Sequence, residues 1–233
     1  MKNNFERVLI VGASRGVGAA VAKHMMPKTS NLISVSRTTA DYGDWIQADV
    51  STKTGIETVK DTVGNFALDA LLYMGGTWET NAFTSDYSFE NCSDEDIKNV
   101  IAVNLLAPIR LVKSLLPALR RGDNSKIIFM GALSGLENFP AREVANSASK
   151  FGLRGVVHSL REELRKDRIS VTIINPGNIG TPEVLNDLKQ AGQPETNAIP
   201  LADLLSVIDC VLSLSSSSCI KEIQIPAMNA KGA

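Results

Sequence analysis

The chain has 233 residues, 44% of them hydrophobic and 21% charged, which suits one α/β domain with a substantial core. A formal net charge of −1 leaves no global field to recruit nucleic acid or an anionic membrane, so neither is expected as a partner. Three widely spaced cysteines, Cys92, Cys210 and Cys219, fit neither a disulfide framework nor a zinc site, which predicts buried free thiols, no metal and a reducing cytoplasm.

Residues 1–4 are polar and lead directly into a strand-like run, leaving no room for the apolar region of a signal peptide. No stretch is expected to be apolar over the length of a membrane span. Continuous β-branched runs predict strands at 8–11, 32–35, 71–74, 127–130 and 171–174, buried on both faces. Helical periodicity fills the intervals. It is clearest over 143–166, where Leu153, Val157, Leu160 and Leu164 recur at three- and four-residue steps. Ser93 followed by Asp96 resembles a capping box that starts a helix running toward Arg121, with a kink expected at Pro108 and a stop at Gly122. Two stretches, 77–91 and 177–200, read as irregular, and the serines at 215–218 as a turn. Strand–helix alternation of this kind predicts a parallel sheet with helices on both faces.

The run Val8-Leu9-Ile10-Val11-Gly12-Ala13-Ser14-Arg15-Gly16-Val17-Gly18 passes from an apolar strand straight into a helix. Gly12 allows a tight turn, while Gly16 and Gly18 remove side chains where backbone meets a phosphate or where helix packs on strand. The helix N-terminus then offers free N–H groups to an anion. A glycine triplet alone is also compatible with a plain turn.

The GxxxGxG spacing resembles the short-chain dehydrogenase/reductase family, and the resemblance continues to a last strand near Ile225. Asp49-Val50 matches the family's adenine-contacting pair, Asn104 its helix asparagine, and Lys150, after Ser149, its catalytic lysine. Gly75 stands in the loop after the fourth strand, while Pro176, Gly177, Ile179 and Thr181 resemble the segment flanking the nicotinamide. The resemblance implies a Rossmann-type, doubly wound single domain. It also implies a dimer or tetramer packed through the helices around 94–121 and 143–166. Charge speaks to the choice of cofactor. After the second strand Ser36 is followed by Arg37 rather than by an acid, and Arg15 lies in the glycine turn, so two guanidinium groups favour the 2′-phosphate of NADP(H). The competing reading makes both arginines solvated surface residues.

The catalytic pattern departs from the family's. The tyrosine expected four residues before Lys150 is Asn146, the serine expected at the end of the fifth strand is Ala132, and the loop after the fourth strand reads Tyr73-Met74-Gly75-Gly76. An amide can donate a hydrogen bond to a carbonyl but is no general acid near neutral pH. Ser134, Ser147 and Ser149 are hydroxyls that could substitute, although local bonding to backbone competes for each. Tyr73 and Tyr87 could supply a phenol, with packing as their other role. Glu143 reads as a helix-start carboxylate, and His24 and His158 as structural histidines. Trp78, Phe83, Tyr87 and Phe89 crowd into 78–89 and could line a substrate pocket, form a subunit contact or fold back on themselves. The resemblance implies an NADP(H)-dependent oxidoreductase for a small organic carbonyl or alcohol, with Asn104, Ser134, Asn146 and Lys150 at its centre. A nucleotide-binding protein without redox chemistry, or a pocket repurposed for cyclisation or isomerisation, are the other readings.

Overall fold

The computed structural model describes residues 5–229; the signal-peptide argument falls on residues 1–4, outside that range. Seven strands, among the described residues, form one parallel sheet in the order β3-β2-β1-β4-β5-β6-β7. They are β1 (Phe5–Val11), β2 (Thr29–Ser36), β3 (Asp44–Gln47), β4 (Ala70–Tyr73), β5 (Lys126–Met130), β6 (Ser170–Pro176) and β7 (Glu222–Ile225). The five apolar runs therefore become the five central strands. The edge strands β3 and β7 lack such runs because they are only partly covered.

Two apolar cores flank the sheet. Alternate residues Leu9, Val11, Leu71, Ile127 and Phe129 face α2 (Lys53–Val63), α4 (Ala107–Leu119) and α5 (Val144–Leu164). Their neighbours Val8, Ile10, Leu72 and Ile128 face α1 (Gly16–Met25) and α7 (Leu201–Ser213). The chain winds outward in opposite directions from β1 and β4, which opens a crevice at the carboxyl ends of these strands.

Four local expectations need correction. The helix beginning at Ser93, whose hydroxyl accepts from Asp96 N, comprises α3 (Asp94–Ile101), a π-helical turn at Ala102–Leu106, and α4. The irregularity thus precedes Pro108, which lies in the first turn of α4 where a missing N–H is tolerated. The 26 residues of Asp94–Leu119 are also long and apolar enough to cross a membrane, contrary to the sequence expectation. They owe that apolarity to a core face, since Val100, Ala107, Leu111, Val112 and Leu115 are buried. The third correction concerns 177–200, which contains α6 (Pro182–Gln190), opened by Thr181 as cap and Pro182 in the first turn. Finally, the thiols are free but not buried: Cys210 and Cys219 are exposed and Cys92 is half-buried. For Cys210 the reason is its place on α7, where Leu204, Ile208, Val211 and Leu212 take the inward face.

Candidate active site

The crevice begins at the turn between β1 and α1. Gly12 sits at φ +83 with its missing side chain pointed at the loop after β4, where a Cβ would stand 2.6 Å from Gly75 Cα. At Gly18 a Cβ would meet the Gly12 carbonyl oxygen at 2.0 Å, so helix and turn can pack only without a side chain. Gly16, at φ +55, has no atom within 4 Å of that position and leaves the N-terminus of α1 open. Ser14 and Val17 line the same turn, and the Arg15 guanidinium is exposed. A backbone cradle at a helix N-terminus fits a pyrophosphate.

Beyond β2 the Ser36 hydroxyl is engaged within the protein, donating to Thr38 O at 2.7 Å and accepting from Trp45 Nε1 at 3.1 Å. Arg37 is exposed, and neither it nor Arg15 forms an ion pair among the described residues. Asp49 closes an Asx turn by accepting from Ser51 N and Oγ, and Val50 is buried beside it.

The loop after β4 is tied to the π-helical turn. Asn104, buried, accepts from Thr77 N at 2.9 Å and donates to Thr77 O at 2.7 Å and to Ser149 Oγ at 3.1 Å. The π-turn places this amide inward and lets Tyr73 OH donate to Val103 O at 2.7 Å. Burial, reinforced by the Asp49 charge, raises the Tyr73 phenol far above its ordinary value. Tyr73 therefore packs and donates; it is no proton source for the crevice.

From β5 and α5 come the remaining candidates. Lys150 is buried and its ammonium donates to Met130 O at 3.1 Å. A Cβ on Gly76 would lie 3.7 Å from both Lys150 Nζ and Asn104 Oδ1, so the two side chains converge under this loop. Burial depresses Lys150 from 10.5 to about 8. Asn146 Nδ2 donates to Ser134 Oγ at 3.2 Å, which brings together two of the expected catalytic residues. Ala132 is half-buried at the end of β5. Of the other hydroxyls, Ser149 Oγ donates to Asn146 O, whereas Ser147 Oγ is buried without a partner.

The segment after β6 closes the opposite wall. Gly177 N donates to Ile225 O, Ile179 bridges to Ile199, and Thr181 caps α6. Pro176 ends β6 itself. In the first turn of α6, hydrogen bonds from its own N–H and the Thr181 hydroxyl hold the exposed Glu183 carboxyl below its ordinary range against a smaller opposing desolvation. Gly16 N–H and the Arg15 charge act in the same direction, which places the start of α6 against the glycine turn.

One buried acid lacks any motif in the sequence. Glu79, 1% exposed, accepts from Ala145 N at 2.7 Å and Asn146 N at 3.1 Å through one oxygen, while its other oxygen has no partner. Tyr87 OH accepts from Val144 N at 3.2 Å. Glu143 turns away from its own helix toward Phe83 N and Arg142 N. Of the four aromatics only Tyr87 is buried and serves α5, while Trp78, Phe83 and Phe89 stay exposed and Trp78 and Phe83 meet edge to face. His24, near the end of α1, is paired with Asp209, and His158, on α5, lies beside Arg161; neither is bonded to these residues.

Comparison with known proteins agrees with this geometry. Residues 6–191 match the family model described as short chain dehydrogenase. The chain is 27% identical over 202 residues to the short chain dehydrogenase adrF of Penicillium roqueforti, covering 81% of this chain and 73% of that protein. It is 28% identical over 198 residues to the 3-oxoacyl-[acyl-carrier-protein] reductase FabG of Haemophilus influenzae, covering 79% of each. A metagenomic short-chain oxidoreductase solved in complex with NADP superposes with a TM-score of 0.77 at 23% identity, covering 97% of this chain and 98% of that one. By fold and by family match, the chain belongs to the short chain dehydrogenase family of oxidoreductases.

Proposed function

We propose that the protein is an NADP(H)-dependent oxidoreductase acting on the carbonyl or alcohol of a small organic substrate, with proton chemistry unlike that of its family. The observation that carries this reading is the convergence of Lys150 and Asn104 beneath Gly76, across the crevice from the open glycine turn. The residues present fit a dinucleotide: Gly12–Gly18 backbone for the phosphates, Asp49 and Val50 for the adenine, Lys150 for ribose hydroxyls. Pro176, Gly177, Ile179 and Thr181 flank the nicotinamide, which supplies or accepts the hydride when bound. Arg15 and Arg37, neither of which forms an ion pair among the described residues, support a preference for the 2′-phosphate, as does the NADP held by the metagenomic relative.

Asn146, fixed by Ser134, orients the substrate oxygen without supplying its proton, which comes from water or another group. Loss of a positioned acid costs ~10²–10⁴ in rate, so slow turnover is expected. The Asn146–Ser134 pairing also favours a second reading, a regulatory or scaffold protein that binds NADP(H) without redox chemistry. We further propose assembly as a homodimer or homotetramer, supported by the exposed Leu106, Ile109, Val144 and Phe151 on the helices around the π-turn and in α5.

NADPH titration combined with a panel of carbonyl substrates tests these readings. Binding with turnover that collapses in Lys150→Ala supports the oxidoreductase, and Ala132→Ser with Asn146→Tyr should then raise the rate by about 10² or more. Tight binding with no turnover in the parent, and turnover only in the double variant, supports the scaffold reading. Absence of NADPH binding overturns both.

A further inference from the structure

A helix of 21 residues needs its first N–H groups satisfied, and α5 has no cap of its own, because Glu143 at its N-cap position makes no side-chain bond to it. The partners come from the loop after β4 instead. Tyr87 OH takes Val144 N, and a single oxygen of Glu79 takes both Ala145 N and Asn146 N. Capping alone does not require a carboxylate brought in from 66 residues away, nor one whose second oxygen is buried without a partner, an expensive arrangement. Glu79 is set apart by what else its loop touches. Gly75 abuts Gly12 of the glycine turn, Gly76 covers Lys150 and Asn104, and Thr77 exchanges two hydrogen bonds with Asn104. Five residues thus run without a break from the turn to the backbone of Asn146.

We propose that Glu79 is a positioning residue that couples the cofactor crevice to the reaction centre, latching the Gly75–Thr77 loop onto α5 so that a nucleotide in the glycine turn also fixes Asn146. The proposal rests on the NADP(H) reading above. A nucleotide that presses Gly75 and Gly76 into place immobilises Thr77 and, two residues on, the carboxylate at Asn146 N. Linkage makes the effect reciprocal: whatever protection NADPH confers on the α5 amides through this latch, its loss must weaken NADPH binding by the same factor.

Amide hydrogen exchange at residues 145 and 146, with and without NADPH, tests the latch in the parent, Glu79→Gln and Glu79→Ala. In the parent NADPH should slow exchange by on the order of tenfold, as expected for charge-assisted bonds that tighten. In Glu79→Ala the basal rate should rise, the NADPH effect should fall below about twofold, and NADPH should bind correspondingly more weakly. Glu79→Gln, which keeps a carbonyl acceptor, should restore most of the NADPH effect. A purely structural cap would change only the basal rate; an undiminished NADPH effect in Glu79→Ala overturns the proposal. Failure of the parent to bind NADPH, read separately by fluorescence, overturns the cofactor reading and the latch with it.

Discussion

Replacing Lys150 with methionine should stabilise the cofactor-free protein near neutral pH while abolishing its nucleotide site. The ammonium is buried and bonded only to Met130 O, and burial holds it at about 8 against the ordinary 10.5. At ~1.36 kcal/mol per pH step, this depression corresponds to a penalty of about 3 kcal/mol on folding with the lysine charged. Methionine removes the penalty but forfeits the bond to Met130 O, worth about 1–2 kcal/mol, so the net gain is about 1–2 kcal/mol. The sign of the pH dependence follows from proton counting. Between about pH 8 and 10.5 the unfolded chain holds a proton that the folded one has released, so wild-type stability rises with pH across that window relative to the variant. Urea unfolding of both proteins at pH 7 and pH 10 should show the variant ahead at pH 7 and its lead lost or reversed at pH 10. A variant that is less stable at pH 7, or a difference independent of pH, would refute the reasoning. A stability cost at this one position is what a site kept for function predicts.

Gly18→Ala should destabilise the fold by more than about 2 kcal/mol in urea unfolding, since its Cβ would stand 2.0 Å from the Gly12 carbonyl oxygen and rigid backbone lies on both sides. Alanine at both Arg15 and Arg37 should weaken NADPH at least tenfold while leaving NADH within about threefold, measured by fluorescence titration; equal loss of both cofactors would assign the arginines no role at the 2′-phosphate. Tyr73→Phe should cost about 1–2 kcal/mol by leaving the Val103 carbonyl of the π-turn without its donor, and a shift in thermal unfolding midpoint reads it.

The parts of the fold that the sequence made legible are those where burial is complete. β1, β2, β4, β5 and β6 are covered on both faces and so appear as mainly apolar runs, interrupted by the buried hydroxyls of Ser34 and Thr172, whereas β3 has an exposed face and carries Asp44, Trp45 and Gln47. The start of α6 was also written locally, as Thr181-Pro182-Glu183, but the surrounding prolines and glycines of 177–200 masked a nine-residue helix. The interruption between α3 and α4 left a false trace at Pro108. Its real cause, a π-turn that carries Asn104 inward, depends on contacts with Thr77 and Ser149 far along the chain.

The same distinction governs the site. Gly12 is legible from its place between a strand and a helix, whereas Asn104 and Lys150 are indicated only by resemblance to the family, and what Asn104 bonds, Thr77 and Ser149, depends on the fold. Glu79 has neither signal, because nothing near it in sequence states what it bonds. Its two acceptor contacts lie at residues 145 and 146, and only the fold brings them within reach. Glu143 illustrates the converse: by position it should cap α5, yet its carboxylate takes Phe83 N and Arg142 N, and that leaves the helix terminus to Glu79. An acid supplied from the cofactor loop therefore occupies the role that the helix's own residue vacates. On the proposed reading, in which Asn146 orients a substrate oxygen, the precision with which residue 146 is held sets how well it can do so. The latch and the substitution are thus best tested together: if Asn146 acts by orientation, Glu79→Ala should lower whatever turnover the parent shows, and Asn146→Tyr should make that turnover less sensitive to Glu79.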